Sequence, residues 1–377
     1  MPLICPELFS PFTLCGVELP NRIVMAPMTR NCSPRGVPGA DVAAYYRRRA
    51  EAGVGLILTE GTAPNHPAAA NMPQIPHIYG DEAVAGWSRV VREVRAAGGN
   101  IFMQLWHVGA VPGPGAPPRL PASPISPSGL LKPDIRVGEP MTQADIDAAI
   151  EAFASGAETA QRIGFQGIEI HGAHGYLVDQ FFWEATNRRT DQYGGSLAER
   201  TRFAAEIIRE CRRRTGPGFP ILLRYSQWKL QDYGARLAST PRELALFLEP
   251  LVAAGLDAFH CSTRRFWEPE FEGSDLNLAG WTKKLTGKPV ITVGSVSLTI
   301  DFVDSFRGVR EQPSGQGNGS GTKAHISRLC EMLARGDFDL VAVGRALLAD
   351  PQWAAKIRDG RFDELRPYTQ EALASLA

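Results

Sequence analysis

Short apolar runs recur along this chain, and between them the apolar positions settle into helical spacing. The runs at 22–25, 54–59, 101–105, 167–170, 221–224, 258–261, 290–293 and 340–343 are bounded by turn-forming residues, as buried strands are. Segments 42–52, 83–97, 145–163, 197–213 and 243–253 carry apolar residues three and four apart, the repeat of an amphipathic helix. Strand followed by helix, repeated along the whole chain, predicts a parallel sheet closed on itself: a (β/α)8 TIM barrel forming a single domain over 1–377. Ahead of the first run, Leu8, Phe9, Phe12 and Leu14 predict a segment packed over the barrel bottom.

Two stretches interrupt the alternation. The proline-rich region 111–140 is predicted to be an excursion over the barrel mouth rather than an interdomain linker, because a long loop inside a compact domain usually serves function. The region 307–322, with GQGNGSG at 315–321, predicts a flexible insertion. It neither follows a strand nor has G-x-G-x-x-G spacing, so a dinucleotide loop is not expected there.

Composition narrows the class of protein. A 377-residue chain that is 44% hydrophobic can bury a sizeable core, and a formal net charge of +0 gives no electrostatic reason to bind nucleic acid or an anionic membrane. The start lacks the basic segment and apolar run of a signal peptide, and no apolar stretch approaches a membrane span, so a soluble, cytoplasmic protein is expected. Cys5, Cys15, Cys32, Cys211, Cys261 and Cys330 are scattered without a C-x-x-C pair, which predicts neither a disulfide framework nor a zinc or iron–sulfur site. A homo-oligomer is compatible with this composition.

Barrels of this kind do their chemistry at the carboxyl ends of the strands. Ala26, Pro27, Met28 and Thr29 follow the first run and Gly61 the second. The third delivers Gln104, the fourth His171, His174 and Tyr176, and the fifth Arg224. Gly294 and Ser295 follow the seventh, Gly344 and Arg345 the eighth. Glycines with a forked cation after the last two strands suit a phosphate group. Together with the inward amide and arginine, they suit a phosphorylated heterocycle lying across the mouth, and flavin mononucleotide (FMN) fits that description. Gln104 would address its pyrimidine edge, and Arg224 would favour negative charge near N1 and O2 of the reduced ring. Two neutral imidazoles can donate hydrogen bonds to one carbonyl oxygen while a phenol supplies a proton, as reduction of a carbon–carbon double bond beside a carbonyl requires. The H-x-x-H spacing also admits a metal-dependent barrel hydrolase using Glu169, His171 and His174. A non-catalytic flavin carrier is a third reading.

Five ordered motifs go further. LPNRIVMAPMTR from Leu19, QLWHVG from Gln104, HGAHGYLVDQF from His171, TNRRTDQYGGS from Thr186 and VGRALLADP from Val343 closely resemble signatures of the Old Yellow Enzyme family of FMN-dependent ene-reductases, and the resemblance covers nearly the whole chain. It implies tightly bound FMN, NADH or NADPH as co-substrate, and an electron-poor alkene as hydride acceptor. It further implies that Ala26, Pro27, Met28, Thr29, Gly61, Gln104, His171 and Arg224 contact the flavin, while Gly294, Ser295, Gly344 and Arg345 hold its phosphate. His171 and His174 would bind the substrate carbonyl, and Tyr176 would donate the proton. One branch of the family carries asparagine where this chain has His174, which assigns the chain to the His/His type. NRRTDQYGGS is expected to be structural, an arginine–aspartate network with a Gly-Gly turn leading into a helix near Ser196. The chain departs from the family pattern at Ala110, where relatives often have arginine, and at Ser295, which is frequently arginine or glycine.

Overall fold

The computed structural model describes residues 5–113, 124–298 and 318–377. Eight parallel strands close into a barrel: β3 (Ile23–Met25), β4 (Leu56–Leu58), β5 (Ile101–Leu105), β8 (Ile168–His174), β9 (Ile221–Lys229), β10 (Ala258–Ser262), β11 (Val290–Val293) and β12 (Leu340–Val343). All eight coincide with the predicted runs, so the expected (β/α)8 barrel is the observed one. The strand period of two sorts their side chains. Val24, Leu56, Leu58, Phe102, Leu222, Ala258, Ile291 and Leu340 fill the interior, while their neighbours Ile23, Ile57, Ile101, Leu223, Phe259, Val290 and Val341 face the surrounding helices.

The hairpin of β1 (Phe12–Leu14) and β2 (Val17–Leu19) places Leu14 and Leu19 in the interior cluster, so it seals the bottom of the barrel. Burial of each leucine contributes on the order of 1.5–3 kcal/mol. Between the strands lie α1 (Ala40–Glu51), α2 (Asp81–Ala96), α3 (Gln143–Arg162), α5 (Arg202–Thr215), α6 (Pro241–Ala253) and α7 (Leu278–Thr286). A capping box starts α3: Thr142 accepts from the Asp145 N–H and the Asp145 carboxylate accepts from the Thr142 N–H. The helix expected from Ser196 begins instead with a 3-10 turn at Glu199–Thr201.

Two expectations need correction. The region 307–322 lies outside the described residues up to 317, and from there it is helical, opening α8 (Asn318–Ala334) instead of continuing as a loop. Cys5 and Cys330 form a disulfide, with Cα atoms 5.7 Å apart, that ties the opening segment to α8. The pair is separated by 325 positions, so no local spacing could have announced it. Part of the 111–140 excursion, residues 114–123, also lies outside the described residues; its remainder includes the hairpin β6 (Leu130–Lys132) with β7 (Ile135–Arg136). Among the described residues no helix is long and apolar enough to cross a membrane.

Candidate active site

The polar residues of the interior lie toward the carboxyl ends of the strands, above the apolar layer. Gln104 on β5 pairs in register with Glu169 on β8, and its Nε2 donates to Glu169 Oε1 at 2.7 Å. His260 on β10 meets the other oxygen, Nδ1 to Oε2, at 2.6 Å, with both side chains fully buried. Since Glu169 takes up the amide N–H₂ of Gln104, the Oε1 of Gln104 is left as the acceptor toward the mouth. Arg224 lies beside this layer, where burial lowers its pKa and Glu169 opposes that shift. Its Nη2 donates to Ser262 Oγ at 3.4 Å, while its Nε and the His260 Nε2 are buried without a hydrogen-bond partner.

His171, His174 and Tyr176 stand together above this layer. The rings of His171 and His174 are 5.1 Å apart and those of His171 and Tyr176 5.2 Å. Trp106 packs edge-on against Tyr176 at 4.9 Å, and Trp228 stacks on His174 at 4.5 Å. A hydrogen-bond partner assigns the His171 proton. His171 Nδ1 accepts from the Ala173 N–H at 3.3 Å, which leaves the ring hydrogen on Nε2. Ser262 Oγ accepts from Arg224 and lies 2.8 Å from His174 Nε2, so it partners that ring nitrogen in either tautomer. Burial, reinforced by the Arg224 charge, holds both imidazoles well below their ordinary pKa. Each is therefore neutral and carries one ring N–H. Burial also pushes the Tyr176 phenol up to about 12, so it stays protonated across the physiological range.

The expected phosphate residues also converge. Ser295 Oγ donates to the Arg264 carbonyl at 3.0 Å and accepts from Arg345 Nη2 at 3.3 Å. Gly294, at φ 158°, has no room for a side chain: a Cβ would lie 2.6 Å from Thr263 Oγ1. At Gly344 a Cβ would make ordinary contact with Met28 Sδ at 3.5 Å and Ala26 Cβ at 3.7 Å, which packs this turn against the segment after β3. Arg345 begins α9 (Arg345–Ala349), and the fully buried Arg49 fixes this helix from behind by donating to the Leu347 and Leu348 carbonyls at 3.1 and 3.4 Å. After β3, Ala26 is buried, Pro27 and Met28 are half-buried and Thr29 is exposed. Gly61 has an additional packing reason, since a Cβ would lie 2.5 Å from the Trp106 ring.

Sequence reasoning missed several members of the site. His260 and Ser262 alternate with the outward Phe259 and Cys261, so polar residues at the inward positions of an otherwise apolar strand were the available signal. Glu169 was considered only as a metal ligand; both of its oxygens are engaged by Gln104 and His260, and it forms no ligand group with His171 and His174 among the described residues. Ala110 is buried and donates its N–H to Gln180 Oε1 at 3.2 Å. The NRRTDQYGGS segment forms the expected network: Arg189 grips Asp191 and donates to the Pro127 and Met141 carbonyls at 2.8 and 2.6 Å. At Gly194 any Cβ would sit 1.8 Å from the Arg189 carbonyl oxygen.

Glu60, at the end of β4, holds the loop that carries Thr29: its Oε2 accepts from the Arg30 and Asn31 N–H groups at 2.8 and 3.3 Å. Burial raises its carboxyl from the ordinary 4.5 to about 7, against those two donors. A raised folded-state value means that Glu60's contribution to stability is fully present below pH 4.5 and is lost as pH rises through about 7. Glu60→Gln is expected to remove this falling limb, gaining about 3 kcal/mol on the wild type between low and mildly alkaline pH. Urea unfolding of both proteins across that range checks it; parallel pH profiles would refute it.

Fold and site together define a (β/α)8 barrel that carries paired neutral imidazoles and a protonated phenol at the carboxyl ends of its strands. The chain belongs to the NADH:flavin oxidoreductase / NADH oxidase family, which it matches over residues 7–304, and thereby to the Old Yellow Enzyme family; the family cofactor is FMN. It is 34% identical to the NADH oxidase of Thermoanaerobacter brockii over 373 residues, spanning 96% of this chain but only 52% of that relative. 12-Oxophytodienoate reductase 2 of Arabidopsis thaliana is 32% identical over 357 residues, spanning 91% of this chain and 86% of that relative. Among solved structures, morphinone reductase superposes with a TM-score of 0.77 at 28% identity, covering 97% of this chain and 92% of that one.

Proposed function

We propose that this protein is an ene-reductase that takes hydride equivalents from NADH or NADPH and reduces the carbon–carbon double bond of α,β-unsaturated carbonyl compounds. The observation that carries the reading is the grouping of two neutral imidazoles with one buried, protonated phenol. The residues present fit FMN. Buried Arg224 has an unused Nε donor, Gln104 presents an acceptor, and Gly344 adjoins the Arg345–Ser295 pair. Gln104, Arg224, Thr29 and Gly61 would hold the ring with Ala26, Pro27 and Met28. Gly294, Ser295, Gly344 and Arg345 would hold the phosphate. When bound, FMN supplies the hydride-carrying chemistry that no side chain has.

His171 and His174 bind the substrate carbonyl oxygen through ring N–H groups and stabilise the negative charge that builds on it during reduction, a contribution of about 10²–10³ in rate for a single donor of this kind. Neutral imidazoles suit this role because they strengthen their hydrogen bonds as the charge develops without first giving up a proton. Tyr176 Oη–H delivers the proton to the α carbon. Trp106 and Trp228 brace the Tyr176 and His174 rings and keep the mouth apolar.

The direct test is optical. The purified protein is expected to be yellow, to bleach anaerobically on addition of NADH or NADPH, and to regain its colour when 2-cyclohexenone is added. A colourless protein that cannot be reconstituted with FMN, or one whose bleached form ignores the enone, would refute the proposal.

A further inference from the structure

The two residues between His171 and Tyr176 that matter most for aim are His174 and Gly175. Both have left-handed backbones, φ 67° and φ 81°, and a left-handed conformation is unfavourable for a histidine. Four hydrogen bonds hold this bend, and they come from two directions. On one side is β9, which continues to Lys229, well past the predicted 221–224. A register irregularity between Gly172 and His174 brings His174 opposite Lys229. There the His174 N–H donates to Ser226 Oγ at 3.0 Å, and the His174 carbonyl accepts from the Leu230 N–H at 3.2 Å. On the other side is α4 (Leu177–Phe182), in which Asp179 Oδ2 accepts from the Gly175 N–H at 2.7 Å and Gln180 Nε2 donates to the Gly175 carbonyl at 2.8 Å. Lys229 Nζ locks the two sides together, donating to Asp179 Oδ1 at 2.6 Å and to the Ser226 carbonyl at 3.2 Å. The Asp179 and Lys229 side chains are fully buried.

From this geometry we infer that Asp179 and Lys229, with Gln180, are positioning residues for proton delivery: they fix the His174–Gly175 bend so that the Tyr176 hydroxyl is aimed at the substrate. None of the three needs to touch substrate or cofactor. The ion pair has no surface role, and a buried pair adds little net stability over apolar packing, so its value lies in the orientation it imposes. A Tyr176 hydroxyl displaced by a fraction of an ångström would still be bound and protonated, yet poorly placed for the α carbon.

The inference rests on the proposed proton-donor role of Tyr176, and the experiment separates the two. Asp179→Asn, Tyr176→Phe and the double variant are compared as FMN-loaded proteins. FMN affinity is read by fluorescence, reduction by NAD(P)H and reoxidation by 2-cyclohexenone by stopped flow. Asp179→Asn is expected to keep FMN affinity and the rate of reduction within about twofold while reoxidation falls tenfold or more, with a larger solvent isotope effect on that step. Placed on Tyr176→Phe, the same change is expected to cost less than twofold more, because a residue acting through Tyr176 has nothing left to aim. Native-like reoxidation by Asp179→Asn beside a slow Tyr176→Phe overturns the positioning role alone, as does a full multiplicative loss in the double variant. Native-like reoxidation by Tyr176→Phe overturns the proton-donor reading and the clamp with it. Should Asp179→Asn lose FMN because it leaves the Lys229 charge stranded, Gln180→Met removes the Gly175 carbonyl bond without stranding a charge and is held to the same outcomes.

Discussion

Tyr176→Phe is expected to leave the reduction of the bound cofactor by NAD(P)H intact and to slow its reoxidation by an enone by about 10²–10⁴-fold, the usual worth of general acid catalysis. At neutral pH the Tyr176 phenol, held near 12 by burial, is protonated, whereas His171 and His174 are neutral and committed to the carbonyl oxygen. In the proposed mechanism no other acid among the described residues would stand beside the α carbon once the hydroxyl is gone, and the proton would have to come from water. The phenylalanine ring keeps the contacts with Trp106 and His171, so the loss belongs to chemistry rather than to folding. Stopped-flow reoxidation at the native rate would remove Tyr176 from the mechanism. Reoxidation is also expected to be insensitive to Tyr176 ionisation until the pH approaches 12, since only then does the phenol lose its proton.

The second large effect is on stability. Glu169→Leu is expected to lower the unfolding free energy of the cofactor-free protein by roughly 2–5 kcal/mol, because each buried donor left without a partner costs about 1–3 kcal/mol. The leucine fills the space but accepts nothing, so Gln104 Nε2 and His260 Nδ1 lose their partner and the buried Arg224 loses its compensating charge. Against a total stability of about 5–15 kcal/mol for a typical fold, this is a large fraction. Glu169→Gln, which still accepts one hydrogen bond, should fall between the two. Urea midpoints settle the matter: a loss below about 1 kcal/mol would mean that the layer relaxes or that water enters it.

How much of this was legible from the residues divides along physical lines. The barrel strands were legible because interior and exterior both bury apolar side chains, so each strand contains a short, mostly apolar run. The candidate residues at the ends of β3, β5, β8 and β12 stood out because turn glycines, prolines and polar residues follow those runs abruptly. What could not be read is pairing at a distance. The Glu169–His260 contact joins positions 91 apart, Lys229 meets Asp179 across 50, and nothing along the chain marks Lys229 as buried rather than exposed. The extension of β9 was hidden for the same reason, since SQWK is too polar to look like a strand until its partners are known.

The left-handed backbone at His174 has a further consequence for sequence variation. Asparagine and histidine are among the few non-glycine residues enriched in that conformation, and both carry a nitrogen-bound hydrogen close to the main chain. Asparagine at this position would therefore satisfy backbone shape and hydrogen-bond chemistry together. Substitution of His174 by a β-branched residue would be opposed first by torsional strain and only then by lost chemistry, so the repertoire at this position is filtered before selection ever sees a reaction rate.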